Sequence, residues 1–182
     1  FNLGVTLKAL GKLNEAVESF RSAIAILPNY PDAHNNLGNA LDELGQRSAA
    51  IESYEWAIAY KSDYSQAFLN LAVLYSKFDQ HKAISFYEKA ILINPNYYSA
   101  YFNMASTYRH LGFKEKAIKS YEKAIAIKPD YADAHKNLSA MKKYKINDPQ
   151  IKQMESLLSK VNLIESEEIS LNFALAKVNE DL

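Results

Sequence analysis

Asparagine recurs in this chain at Asn2, Asn36, Asn70, Asn103 and Asn137, at spacings of 34, 34, 33 and 34 residues. A fixed period of this length constrains the fold more than any other feature. It marks repeated units that cannot bury an apolar face alone and must stack into a continuous core. Four segments superimpose: 1–30, 31–64, 65–97 and 98–131. A fifth opens at Ala132 with ADAHKNLSAM and then departs from the pattern. Pro28, Pro95 and Pro129 close their units, with Ser62 as the exception.

Each unit reads as two helices. Gly11, Gly45 and Gly112 follow a leucine where the first helix must stop, and glycine takes the left-handed conformation there without steric penalty. The third unit is one residue shorter and has Phe78-Asp79 at this point, which predicts a tighter, less regular corner. Small and large residues alternate in register. Leu3-Gly4, Leu37-Gly38, Leu71-Ala72 and Met104-Ala105 mark the close-packing site of the first helix, with Leu7, Leu41, Tyr75 and Tyr108 one turn later. In the second helix Ala16, Ala50, Ala83 and Ala117 precede Phe20, Tyr54, Tyr87 and Tyr121, followed by Ala23, Ala57, Ala90 and Ala124. Small residues let antiparallel helices approach, and large ones fill the gaps between them.

This pattern resembles the tetratricopeptide repeat. The resemblance implies an all-α fold, a right-handed α–α superhelix of antiparallel helix pairs, whose direct work is to hold a protein or peptide. The array is expected over residues 1–145, with 1–30 and 132–145 as partial repeats, and a C-terminal helical segment over 146–182. The pattern opens mid-helix at Phe1, as expected of a piece of a longer chain.

The recurring asparagine precedes the packing leucine in mid-helix, where it costs roughly half a kcal/mol relative to alanine. An amide side chain both donates and accepts, so a row of them could grip an extended main chain. The row looks like the asparagine ladder of O-linked N-acetylglucosamine transferase repeats. The expected peptide-binding residues are Asn2, Asn36, Asn70, Asn103 and Asn137, with Asn39, Asp42, Ser106 and Arg109 nearby. Alternatively, each asparagine bonds a neighbouring helix and tunes the stacking. The carboxylate clamp of chaperone-binding relatives is not expected, because its positions fall at Phe1, Asn35, Leu69, Phe102 and Lys136, with a single cation. Those apolar residues are expected to line the groove instead.

Composition narrows the remaining classes. Hydrophobic residues are 48% and charged residues 23%, which predicts a folded chain. The 21 basic and 21 acidic residues balance, leaving no electrostatic footprint for nucleic acid. With no cysteine there are no disulfides or thiolate metal sites, which fits a reducing, cytoplasmic setting. No apolar run is long enough to span a membrane. His34 and His135 are repeat equivalents, His81 and His110 lie near corners, and none has metal-ligand spacing. No nucleophile elbow or phosphate-binding loop occurs, so neither catalysis nor a cofactor is expected within these residues. Trp56 is anomalous. Its equivalents are Ser22, Lys89 and Lys123, so it is expected to be exposed on the second helix.

Past Ala140 the second-helix pattern fails. Asp148-Pro149 reads as a helix start, with Ile151, Met154, Leu157 and Leu158 on one face through about Ser159. A short break leads to a second start at Ser166-Glu167-Glu168. The final stretch reads as the first helix of another repeat, with Leu175-Ala176 at the packing site and Ala174 replacing the ladder asparagine. DPQIKQMESLL followed by LNFALAKVNEDL resembles the segment joining repeats to the catalytic domain in bacterial repeat-containing sulfotransferases. That resemblance implies a second reading: the substrate-recruiting region of a transferase, sulfotransferase or glycosyltransferase, with its catalytic domain outside these residues. The donor-binding loop of those sulfotransferases is absent here.

Overall fold

The structure is a computed structural model that describes residues 1–159 and 163–182. Among them are eleven helices: α1 (Asn2–Ala9), α2 (Leu13–Ile26), α3 (Pro31–Glu43), α4 (Arg47–Tyr60), α5 (Ser65–Ser76), α6 (Gln80–Ile93), α7 (Tyr98–His110), α8 (Lys114–Ile127), α9 (Ala132–Ser139), α10 (Pro149–Leu158) and α11 (Glu165–Asp181). They fall into two compact units, Phe1–Pro95 with α1 to α6 and Asn96–Leu182 with α7 to α11. Part of the break expected between Ser159 and Ser166 falls on residues 160–162, outside the described residues.

In the first unit the helices pair as α1 with α2, α3 with α4 and α5 with α6. The corners after α1 and α3 share one geometry. Gly11 and Gly45 both have φ of 73°. At the second corner Gln46 N–H reaches the Leu41 carbonyl at 2.8 Å and Gly45 N–H reaches Asp42 at 2.9 Å, the paired bonds of a Schellman stop. Gly112 repeats this corner between α7 and α8, with φ of 77°. At the third corner no residue is left-handed. Asp79 instead accepts from Lys82 N–H at 3.0 Å and caps α6, which fits the missing residue there.

The small positions decide how closely each pair packs. A Cβ added at Gly4 would stand 2.7 Å from the Phe20 ring, and one at Gly38 would stand 2.6 Å from the Tyr54 ring. Phe20, Tyr54 and Tyr87 are buried in the first unit and Tyr121 in the second; the three tyrosines are each flanked by two fully buried alanines, and Phe20 by buried Ala16 and half-buried Ala23. Leu3 departs from its expected packing role: it is 65% exposed, whereas Leu37, Leu71 and Met104 are buried. Leu37 and Leu71 lie on helices that pack against the preceding second helix, α3 on α2 and α5 on α4, and among the described residues α1 has no such neighbour.

In the second unit α7 pairs with α8, and α9 then packs against α11. Ser170 Oγ donates to Asp133 Oδ1 at 3.0 Å, Lys136 lies over Phe173, and Tyr144 N–H donates to Asp181. These contacts advance together along both segments, so α11 runs parallel to α9, as the first helix of a further repeat would. Its rotation corrects the expected register: Ala174, Leu171 and Val178 are buried, while Leu175 is half-buried and Ala176 exposed. They form a core with Tyr144, Met154 and Leu157, so the face of α11 carrying Ala174 serves packing.

Candidate functional site

The repeated asparagines occupy the first helices, and one repeat position meets several different fates. In the first unit, Asn2 is exposed on α1 and makes no side-chain hydrogen bond among the described residues. Asn36, half-buried, donates through Nδ2 to the Asp32 carbonyl one turn back at 2.8 Å, and its amide oxygen accepts no hydrogen bond among the described residues. Asn70 is saturated. Its Nδ2 donates to Asn35 Oδ1 and to Asn39 Oδ1, both at 2.9 Å, and its Oδ1 accepts from Gln66 at 2.8 Å. Asn39 Oδ1 also accepts from Tyr54 Oη at 2.8 Å, so one amide ties α3, α4 and α5 together.

This node has a measurable consequence. Asn70→Ala strands the buried Asn35 carbonyl oxygen, and an unmet buried acceptor costs about 1–3 kcal/mol. A urea unfolding free energy lower by that amount, with helical circular dichroism retained, is the expected result. An unchanged free energy would show that the node contributes nothing.

In the second unit, Asn137 back-bonds to the Asp133 carbonyl at 2.8 Å, as Asn36 does to Asp32, and its Oδ1 accepts from Arg109 at 3.1 Å. Asn103 is half-buried, and its side chain makes no hydrogen bond among the described residues. Ser106 pairs with Tyr121 Oη at 3.0 Å, while Asp42 in the first unit accepts from Lys77 at 2.9 and 3.0 Å. Asn39, Asp42, Ser106 and Arg109 therefore hold contacts inside the protein. The expected groove-lining role of Leu69 is corrected: it is buried, as is Asn35. Phe102 packs on Tyr121 and Tyr131, and Phe1 on Phe20 and Tyr30.

A cleft of about 420 Å³ in the second unit is lined by Lys128, Tyr131, Lys136, Asp133, Glu167 and Ser170 among others. Both charge signs are present, so its walls favour no simple ion. Burial, with Asp133 and neighbouring tyrosines adding to it, pushes the Tyr131 hydroxyl up to about 12, so it remains a donor at neutral pH.

The histidines hold a pattern that spacing alone does not reveal as structural. His34 Nε2 meets the Pro28 carbonyl at 2.8 Å, and His135 Nε2 meets the Pro129 carbonyl at 2.9 Å. A carbonyl only accepts, so both rings carry the proton on Nε2. The signal available in sequence is the proline–histidine separation of six, present twice. His135 extends this contact into a buried relay: Gln150 Nε2 lies 3.3 Å from His135 Nδ1, and Tyr144 Oη donates to Gln150 Oε1 at 3.0 Å. No group of three His, Cys, Asp or Glu side chains placed to hold a metal occurs among the described residues. None of the helices in the described residues is long and apolar enough to cross a membrane.

Antiparallel helix pairs of about 34 residues, closed by glycine corners and proline turns, define an all-α helical-repeat protein of the solenoid class. Residues 4–45 match the family described as TPR repeat, and residues 35–91 and 98–131 match families described as tetratricopeptide repeat. The chain is a tetratricopeptide repeat protein. No curated protein matches its sequence significantly.

Solved structures share the fold. A crystal structure of MamA is 22% identical with a TM-score of 0.72, covering 99% of this chain and 96% of that one. TTC0263, a thermophilic TPR protein of Thermus thermophilus, is 23% identical with a TM-score of 0.69, covering 96% of each chain. YrrB, described as a TPR protein with an unusual peptide-binding site, is 18% identical with a TM-score of 0.65, covering 96% of this chain and 89% of its own.

Proposed function

We propose that this protein is a non-catalytic interaction scaffold of the cytoplasm that holds extended polypeptide on its first-helix faces through the asparagines. The observation that carries this reading is Asn103, half-buried on α7 with its amide donors and acceptor uncommitted. Asn36 supports it with a free amide oxygen, and Asn2 and Asn137 extend the row within their own units. Asn70 belongs to the same row by position, but its bonds to Asn35 and Asn39 make it a brace for the others. The likeness to YrrB, whose described feature is a peptide-binding site, agrees with a peptide ligand.

The test omits Asn70, because its loss disturbs the fold. Asn36→Ala combined with Asn103→Ala removes the unbonded amide oxygen of the first and the wholly uncommitted amide of the second, both at half-buried positions. A peptide selected from an unbiased library on the wild-type chain should bind the double variant at least about tenfold more weakly, given about 1 kcal/mol for each hydrogen bond lost. Unchanged affinity, with unfolding also unchanged, would sink the reading.

The second reading, the recruiting region of a larger transferase, rests on the resemblance of residues 146–182 to the sulfotransferase linker. It shares the groove chemistry and differs in what lies beyond Leu182. A phosphosulfate-binding loop in the downstream reading frame would establish it, whereas more repeats or a stop codon would remove it.

A further inference from the structure

We propose that Trp56, flanked by Glu52 and Glu55 on α4, is a docking point for an arginine or lysine side chain of a partner polypeptide. This surface is on a second helix, apart from the asparagines of the first helices, and its failure would leave peptide binding there untouched. Trp56 is the chain's single tryptophan and is 46% exposed. Its ring is not loose. It stacks on Tyr60 with centroids 5.6 Å apart and planes 21° apart, and both rings pack on His34, at 6.4 and 5.4 Å. His34 is itself buried and pinned to the Pro28 carbonyl.

Residues 52, 55, 56 and 59 share one face of the helix and line a cleft of about 310 Å³, with Ala59 as its small wall. Neither Glu52 nor Glu55 enters an ion pair among the described residues, whereas several other acids do, such as Asp42 with Lys77. The cleft therefore presents an electron-rich indole face and two carboxylates outside any close ion pair, Glu55 sharing only the longer-range field of Lys82 on α6, and the ligand matching both is a cation on an apolar stem. An acidic segment would be repelled, and an apolar one would desolvate the carboxylates without compensation.

The neighbouring repeat shows what the missing piece is. The equivalent of Trp56 in α6 is Lys89, and the equivalent of His34 in α5 is Phe68. Lys89 Nζ sits 5.8 Å over the Phe68 ring and 5.2 Å over Phe86. Aromatic rings elsewhere carry cations of the chain's own, with Arg47 over Phe78 and Lys82 over Tyr75. Among the described residues no cation covers Trp56 or Tyr60. In this repeat the lysine position holds the aromatic, the acids stand beside it, and the cation must come from outside.

One indole makes the test direct, because the ¹⁵N spectrum of the folded chain holds a single indole N–H resonance. The probes are a short amidated peptide with two arginines between glycines and its citrulline counterpart, equal in shape and uncharged there. The arginine peptide should shift the indole resonance saturably, with the citrulline peptide at least about tenfold weaker. The Glu52→Gln, Glu55→Gln double variant, altered at exposed positions, should weaken the arginine response similarly. Equal responses to both peptides, no response, or a response indifferent to the two carboxylates would each overturn the proposal. A shift that grows with protein concentration before peptide is added would make the occupant a second copy and overturn it equally.

Discussion

Tyr54→Ala should lower the stability of the chain by about 3–5 kcal/mol, the range for removing a large buried ring. The loss belongs at the upper end, because the wall opposite the ring is Gly38, which has no side chain to collapse into the hole. Tyr54→Phe keeps the ring and removes only the bond to Asn39, so it should cost about 1 kcal/mol. The two positions should also be coupled. Alone, Gly38→Ala gains roughly 1 kcal/mol of helix propensity but places its Cβ 2.6 Å from a ring that is buried and tethered through its hydroxyl. Overpacking of that kind costs about 1–3 kcal/mol, so the single change should destabilise. In the Tyr54→Ala background the same methyl enters empty space, and Gly38→Ala should become stabilising. Urea unfolding of the four proteins measures the cycle. Additive effects would mean that Gly38 and Tyr54 do not set each other's packing.

Much of this architecture could be read before any coordinates, because period and residue size act locally. The close-packing site at Gly38, the glycine corners and the Asp148–Pro149 helix start each depend on a few neighbouring residues, and each stands where expected. Burial that depends on a neighbouring helix could not be read this way. Leu3 carries the same side chain as Leu37, and one is exposed while the other is covered.

The asparagines show the same limit more sharply. Asn36, Asn70 and Asn103 share one repeat position, yet one bonds its own helix, one is saturated by a neighbour and one is left uncommitted. Asn70 differs because Asn35 and Asn39 stand on the preceding first helix with acceptors in reach. No feature of its own repeat announces that. On α11, Leu175-Ala176 imitates the packing pair, but the helix packs on α9 and α10 through Leu171, Ala174 and Val178. Its rotation follows from a partner surface that the repeat pattern does not describe. The relay through Gln150 likewise joins a repeat residue to one beyond the repeat, and periodicity cannot connect them.

Acidification should weaken the chain through His135, before its paired carboxylates respond. Burial holds the imidazole below its ordinary value, with the bond to Pro129 opposing only in part. The unfolded chain therefore takes up a proton that the folded one resists. Stability is then complete above about pH 6.5 and falls as the pH drops below it. The geometry explains the resistance. His135 Nε2 already donates to Pro129, so Nδ1 must accept from Gln150, and a second ring proton would turn that contact into two opposed donors.

The groups around this relay separate in pH. Asp148, whose burial is outweighed by the bonds and charge of Lys142 and by Gln150 N–H, and Asp181, held first by Tyr144 N–H and then by Lys143, both lie below the usual aspartate range. Their contributions are lost only below about pH 4. Burial, reinforced by Asp148, Glu122 and Asp181, pushes the Tyr144 hydroxyl up, so it donates throughout the range. Thermal unfolding between pH 7.5 and 5 should show a falling midpoint in the wild type and a flatter profile in His135→Gln, whose amide keeps a donor and does not titrate. His34→Gln serves as the control for the other proline contact. Gln150→Leu should cost about 1–3 kcal/mol even at pH 7.5, because it strands the Tyr144 hydroxyl and His135 Nδ1 in the core. If His135→Gln retained the full wild-type slope, the acid sensitivity would have to arise elsewhere, and the relay would be a packing contact without a titrating member.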